Sequence, residues 1–282
     1  MTATDTTLVA PDRCTRYRSM GATEPASYPG HHARPRRLLG IWAHPDDESY
    51  LSAGLMARTV ERGGTVTVVA LTDGEAGFPA EDDRPSHGRA RQRRRELCAA
   101  MARIGVTDVR FLALGDGGVA ERVDGALVDT IGDLVHEVAP DLTVTFGPDG
   151  ITGHDDHVAT WRLVTRAWAA TGTGDLWYAA PPRAWLDEWR RVHDEMGVWM
   201  TGEPDGIDPS DAVMALELAG GDLDRKRAVL REHGSQTGSV ASMLGEEGYR
   251  RWIRRETFRL PTAADFTAAL SSPTGATLVG SS

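Results

Sequence analysis

Two periodicities take turns along this chain. Short strand-like runs, apolar or β-branched at most positions, stand at 38–43 (LLGIWA), 65–71 (TVTVVAL), 108–112, 141–146 (DLTVTF) and 176–180 (LWYAA). Between them, the stretches 50–61, 89–104, 124–138 and 154–169 read as helices. A strand that is apolar on both faces has to be covered on both faces. Such strands alternating with helices therefore predict a parallel sheet with helices packed against it. Right-handed crossovers carry the first three strands outward in one direction. A return of the fourth beside the first gives the order 3-2-1-4-5, a Rossmann-like α/β sheet. Ligands bind such sheets beyond the carboxyl ends of the strands where the order reverses, here between the strands at 38–43 and 141–146.

The pattern is weaker at the flanks. Residues 1–36 combine Pro, Gly, Ser, Thr and clustered Arg without apolar periodicity, and read as a flexible leader. Residues 37–260 are expected to form a single α/β domain. Within it, 180–260 is a less regular C-terminal extension that shapes substrate choice, with Trp-rich helical stretches (Trp185, Trp189, Trp252) and one strand-like run at 213–218. Residues 261–282 read as a loose tail.

Composition narrows the class. Hydrophobic residues make up 40% and charged residues 26% of the 282 positions, which is ordinary for a soluble enzyme. A net charge of -10 leaves no general basic surface for nucleic acid. No apolar run approaches the ~20 residues that span a bilayer, and the N-terminus lacks the basic start and apolar core of a signal peptide. Cys14 lies in the leader and Cys98 in a helical stretch, so neither a disulfide framework nor a cysteine metal site is expected. These features point to a cytoplasmic protein that acts on a small molecule. Of the 31 basic residues Lys226 alone is a lysine. Codon bias is the simple explanation, and a dedicated role is the alternative.

Candidate chemistry gathers at the two strand ends that face the crevice. His44-Pro45-Asp46-Asp47-Glu48 leaves the first strand, and His154-Asp155-Asp156-His157 follows the fourth after a Gly-rich loop. A metal hydrolase needs neutral imidazole nitrogens and carboxylate oxygens converging on one cation, with a position left for water. Asp46 adds a second carboxylate where a general base is wanted. Either cluster alone also reads as an acidic helix start. Three of the nine histidines at one crevice favour a metal site.

At these residues the chain resembles the LmbE-like or PIG-L-like N-deacetylases, a family that includes the deacetylase and amidase of mycothiol metabolism. Its signature A-H-P-D-D-E stands at 43–48 and its H-x-D-H at 154–157. Weaker echoes are TDGEAG (72–77), R-x-x-E (93–96), FLALGDG (111–117) and KRAVLREHGSQ (226–236), so the resemblance spans about residues 37–240. It implies His44, Asp47 and His157 as ligands of zinc, with another divalent ion such as Fe(II) as the alternative. It implies Asp46 as general base, and His154 as the group that stabilises the oxyanion or protonates the leaving amine. Asp156 would orient a histidine. Arg93 matches a substrate contact, with a solvated helix face as the competing reading.

The activity implied is hydrolysis of a linear amide, foremost N-deacetylation of an N-acetylglucosamine-type conjugate. An amidase on a larger thiol or natural-product conjugate also fits. Two histidines and a carboxylate also describe the Fe(II) triad of oxygenases, a reading that leaves Asp46 and His154 unused. Gly115-Asp116-Gly117-Gly118 lacks the Lys and Ser/Thr of a phosphate loop, and Asp116 is placed on the substrate side of the crevice. Gly234 reads as the cap of a helix ending at His233, although the family echo gives this segment a substrate-facing alternative. His31, His32, His87, His136 and His193 read as surface residues. The tryptophans either pack or line a substrate entrance.

Overall fold

The computed structural model describes residues 12–13 and 35–271. Its centre is a parallel sheet of β2 (Arg37–Trp42), β3 (Thr65–Ala70), β4 (Asp108–Phe111), β5 (Leu142–Phe146) and β6 (Asp175–Ala179). The spatial order β4-β3-β2-β5-β6 is the 3-2-1-4-5 arrangement that the hydrophobic pattern predicts. β2 and β3 are buried after their first residue, because α2 (Ala53–Glu61), α3 (Ser86–Arg103), α4 (Gly125–Val138) and α5 (Asp155–Thr171) enclose the sheet.

Antiparallel strands extend both edges. β1 (Asp12–Arg13) pairs with β4, so part of the segment expected to be a free leader belongs to the sheet; 14–34 lie outside the described residues. At the other edge β8 (Arg255–Arg259) pairs with β6, and β7 (Ala212–Glu217) pairs with β8. β7 matches the predicted run at 213–218, whereas β8 (RETFR) gives no apolar signal. Its charged Glu256 is nevertheless buried. The Glu256 carboxylate accepts the backbone N–H groups of Gly54 (2.7 Å) and Leu55 (2.9 Å) at the start of α2, and it pairs with the Lys226 ammonium at 2.8 Å. Lys226 also donates to the Tyr50 carbonyl at 2.6 Å. The single lysine thus ties three elements together in the interior.

The predicted helix over 50–61 is two helices, α1 (Asp47–Leu51) and α2, separated at Ser52 (φ -147°, ψ 7°). The C-terminal part holds α6 (Arg183–Met196), α7 (Gly220–Glu232), α8 (Gly234–Ile253) and α9 (Ala263–Leu270). The segment read as a loose tail contains α9. Thr262 accepts from the Asp265 N–H while the Asp265 carboxylate accepts from the Thr262 N–H, a reciprocal cap that starts the helix. Residues 272–282 lie outside the described residues. Cys98 on α3 is disulfide-bonded, although no disulfide framework is expected from the sequence. No helix among the described residues is long and apolar enough to cross a membrane.

Candidate metal centre

The two histidine-bearing loops meet at the carboxyl ends of β2 and β5, where the strand order reverses. His44 follows β2 and His157 lies in the first turn of α5. His44 Nδ1 and His157 Nε2 are 3.1 Å apart. Asp47 completes a triangle, with its oxygens 3.6 Å from His44 Nδ1 and 3.4 Å from His157 Nε2. The same Asp47 carboxylate accepts the His44 N–H at 2.8 Å, which fixes it over the loop.

The other ring nitrogens decide what this triangle can do. His44 Nε2 faces Asp116 at 3.0 Å and Asp156 at 3.3 Å, so that nitrogen carries the proton. His157 Nδ1 donates to the Gly150 carbonyl at 3.0 Å. In the neutral rings both lone pairs therefore point toward each other and toward a carboxylate. Such a convergence is repulsive unless a proton or a cation lies between the three groups. The spacings are close to those between ligands of a four-coordinate ion bound at about 2.0–2.2 Å. The donor set thus fits a divalent metal. His44, His154 and His157 offer a second overlapping group, and His44, Asp116 and Asp156 a third. Asp116 and Asp156 already hold the far nitrogen of His44.

Packing fixes the ring planes. Phe146 stacks on His157 with centroids 4.2 Å apart and 13° between planes. Gly150, at φ 60°, is the one residue type that fits beneath it, since a Cβ there would lie 2.8 Å from His157 Cβ. The Asp156 carboxylate is locked by the N–H groups of Gly117 (2.7 Å) and Val119 (3.0 Å).

Charge follows the geometry. Burial alone would lower the basicity of His44, but Asp116, Asp156 and Asp47 outweigh it and raise its pKa well above the usual value. Burial would raise Asp47, yet His157 and His44 hold it well below the carboxylate range. Burial pushes His157 down to about 4, leaving it neutral and free to donate a lone pair. The carboxylate-lined pocket favours positive charge at its centre.

Asp46 lies beside the triangle in a left-handed conformation (φ 131°, ψ -26°). Its N–H donates to Glu48 at 3.1 Å and its carboxylate faces Arg93 at 3.2 Å. Burial raises its pKa to about 6, with Arg93 opposing. His154 sits across the site, its ring centroid 4.7 Å from that of His44. His154 Nδ1 accepts the Asp156 N–H at 3.1 Å, so in the neutral ring Nε2 carries the hydrogen.

Both residues assigned to the substrate side turn inward. Arg93 is 3% exposed and donates to the carbonyls of Pro45 (2.6 Å) and Gly74 (2.7 Å). It clamps the Asp46 loop. Gly74 (φ 65°) leaves room for it, since a Cβ there would come within 2.1 Å of the guanidinium. Asp116 binds His44 and accepts the Ala76 N–H at 2.8 Å. The pattern also misplaces His233. Gly234 begins α8 rather than capping α7, and His233 is buried with Nε2 2.9 Å from Ser49 Oγ and 3.3 Å from Glu48. Glu48 in turn receives the Asp46 N–H, so this cluster backs the strained loop. His193, expected on the surface, is buried, whereas His87 and His136 are exposed.

A parallel α/β sheet that gathers two imidazoles and a carboxylate at its switch point, with a further carboxylate beside them, defines a class of protein built to hold a cation at a reaction centre. The comparisons narrow the class. The GlcNAc-PI de-N-acetylase (PIG-L) family matches residues 39–168. The chain is 33% identical over 251 residues to the 1D-myo-inositol 2-acetamido-2-deoxy-alpha-D-glucopyranoside deacetylase of Kineococcus radiotolerans, covering 72% of this chain and 69% of that one. The chain belongs to the PIG-L family. Among solved structures it is similar to N,N'-diacetylchitobiose deacetylase from Pyrococcus horikoshii (TM-score 0.57, 18% identity, 85% of this chain and 88% of that one). A similar likeness holds to the 4-carboxy-2-hydroxymuconate hydratase of Pseudomonas putida KT2440 (TM-score 0.56, 18% identity, 80% and 97%). At such identities the likeness is one of fold, and the hydratase indicates that the fold carries more than one chemistry.

Proposed function

We propose that this protein is a metal-dependent amide hydrolase that removes the N-acyl group of an N-acylglucosamine-type conjugate. The observation that carries the reading is the convergence of His44 Nδ1, His157 Nε2 and Asp47, with the Asp46 carboxylate beside them. The deacetylase name of the Kineococcus relative supports the choice of an amino sugar.

His44, Asp47 and His157 would hold the ion, with zinc as the first candidate. A bound Zn²⁺ would bring the pKa of its water toward ~7 and polarise the acyl oxygen. Asp46 takes the water proton, and its elevated pKa matches that task better than an ordinary carboxylate would. Arg93 keeps Asp46 aimed and ionised. His154 presents its Nε2–H to the developing oxyanion. The amine leaves as its nitrogen receives the proton gathered by Asp46. Asp116 and Asp156 hold His44 in the tautomer that leaves Nδ1 free.

The test is release of free amine from N-acetylglucosamine conjugates by protein as purified, after chelation and after metal is restored. Loss on chelation and recovery with metal are expected. Unchanged amine release in chelated protein shown to hold no metal would overturn the reading.

A further inference from the structure

The residues that follow Asp46 and Asp47 are polar, yet they face the interior. Glu48 and Ser49 on α1 are 0% exposed, and so is His233 at the junction of α7 and α8. Polar side chains closed to water have to satisfy one another. Their hydrogens permit one arrangement. The Asp46 N–H donates to Glu48 Oε2 at 3.1 Å. The Ser49 hydroxyl donates to Glu48 Oε1, which uses the single hydrogen a hydroxyl has. His233 Nε2 lies 2.9 Å from Ser49 Oγ and 3.3 Å from Glu48 Oε1. It therefore carries a hydrogen of its own and donates it. Both oxygens of the Glu48 carboxylate are fixed in this way, one by the Ser49–His233 pair and one by the backbone of Asp46.

The imidazole is anchored in turn. The His233 N–H donates to the Leu230 carbonyl at 3.2 Å, and the His233 carbonyl accepts the N–H groups of Gln236 and Thr237 at 2.9 and 3.0 Å. The chain of contacts thus runs from the start of α8 to a residue held at φ 131°. Without His233, Ser49 and Glu48 are free to turn, and the Asp46 N–H loses a fixed acceptor. An unpaired donor is unfavourable, and one of the contacts that oppose relaxation of the loop is gone. Arg93 still touches the Asp46 carboxylate at 3.2 Å, but it no longer works against a fixed backbone.

We infer that His233 is a positioning residue of the reaction: through Ser49 and Glu48 it fixes the backbone of Asp46, and so the carboxylate that takes the water proton. This rests on the reading of Asp46 as the base of an amide hydrolase.

The test uses metal-loaded protein carrying His233→Leu, His233→Gln or Ser49→Ala, with the methyl glycoside of N-acetylglucosamine as substrate. The Gln amide nitrogen can stand where Nε2 does and donate in its place, whereas Leu cannot. For His233→Leu, kcat for amine release should fall about 10–100-fold, with KM and metal affinity in a chelator titration within about twofold of the parent. His233→Gln should recover at least about fivefold of that loss. Ser49→Ala cuts the same chain with a smaller change, and should lower kcat in the same direction if the Leu variant does not fold. In an Asp46→Asn background, His233→Leu should cost less than about twofold, because the base it places is already gone. A readout separate from activity is hydrogen exchange of the Asp46 amide, which should quicken by about tenfold or more in His233→Leu. Parental kcat in folded His233→Leu or in Ser49→Ala would overturn the assignment. So would a loss undiminished by Asp46→Asn, or one that follows loss of metal. Should the parent release no amine, the hydrolase reading fails by itself, and unchanged exchange of the Asp46 amide would then overturn the positioning role as well.

Discussion

Asp46 holds φ 131°, a conformation that costs a non-glycine residue on the order of 1–3 kcal/mol. Three contacts keep it there: Glu48 on its N–H, Arg93 on its carboxylate and the same guanidinium on the carbonyl of Pro45. The same contacts hold the carboxylate against Arg93, next in the chain to the ligand candidate Asp47. Asp46→Asn keeps the shape but cannot take a proton. Its kcat should fall by about 10²–10⁴-fold while bound metal, measured by elemental analysis, stays at the parental level. Loss of metal in this variant would move Asp46 from base to ligand. Asp116 makes a separable contribution, because it touches the far nitrogen of His44. Asp116→Asn should weaken metal affinity by about 10–100-fold in a competitive chelator titration. A change in KM alone, with metal affinity intact, would return Asp116 to the substrate. Both signature motifs were readable in the sequence because each packs its chemistry into a few consecutive residues. The inward turn of Arg93 and Asp116 was not, because it depends on contacts 48 and 72 positions away in the chain, to Pro45 and His44.

At the scale of elements, strands apolar on both faces announced the parallel core, and their order followed from chirality. Parts of the C-terminal extension escaped the same reasoning because several of their buried positions are polar or charged. Glu256 in β8, Lys226 in α7 and His233 between α7 and α8 are all interior, and each meets a partner distant in sequence. Periodicity cannot register a buried charge whose neutralising group lies 30 residues away, as Lys226 does from Glu256. Lys226→Met removes one half of that pair and leaves Glu256 buried with only the start of α2 to face. The expected loss is about 3–5 kcal/mol, seen as a lower urea midpoint. The double variant Lys226→Met/Glu256→Gln should recover part of it. Equal stability of the single variant and the parent would show that the helix N-terminus alone suffices for Glu256.

On the scale of the whole molecule, the metal triangle and the C-terminal helices meet at a cleft walled by Asp47, His157, Trp185, Trp199 and Trp252, and a buried histidine links that cleft to acid stability. Burial pushes His193 down to about 4, with Asp194 opposing, and its Nδ1 has no hydrogen-bond partner. In the unfolded chain the same imidazole titrates near ~6.5. Between those two values the unfolded state binds the extra proton, so stability rises with pH across that window and is lost as pH falls from about 6.5 toward 4. His193 alone should cost about 2 kcal/mol between pH 7 and pH 5. Other groups titrate in the same range with both signs: His44 and His233 have raised values, and His157 has a lowered one. The His193 share therefore has to be read as a difference. Urea unfolding of the parent and of His193→Gln, which retains an acceptor for the Trp252 indole, should show a shallower acid loss in the variant by about that amount. The measurement also bears on the cleft, since Trp185, Trp199 and Trp252 pack on this one ring. Parallel pH profiles for the two proteins would mean that protonated His193 is accommodated in the fold, and that the tryptophan wall admits the charge without cost.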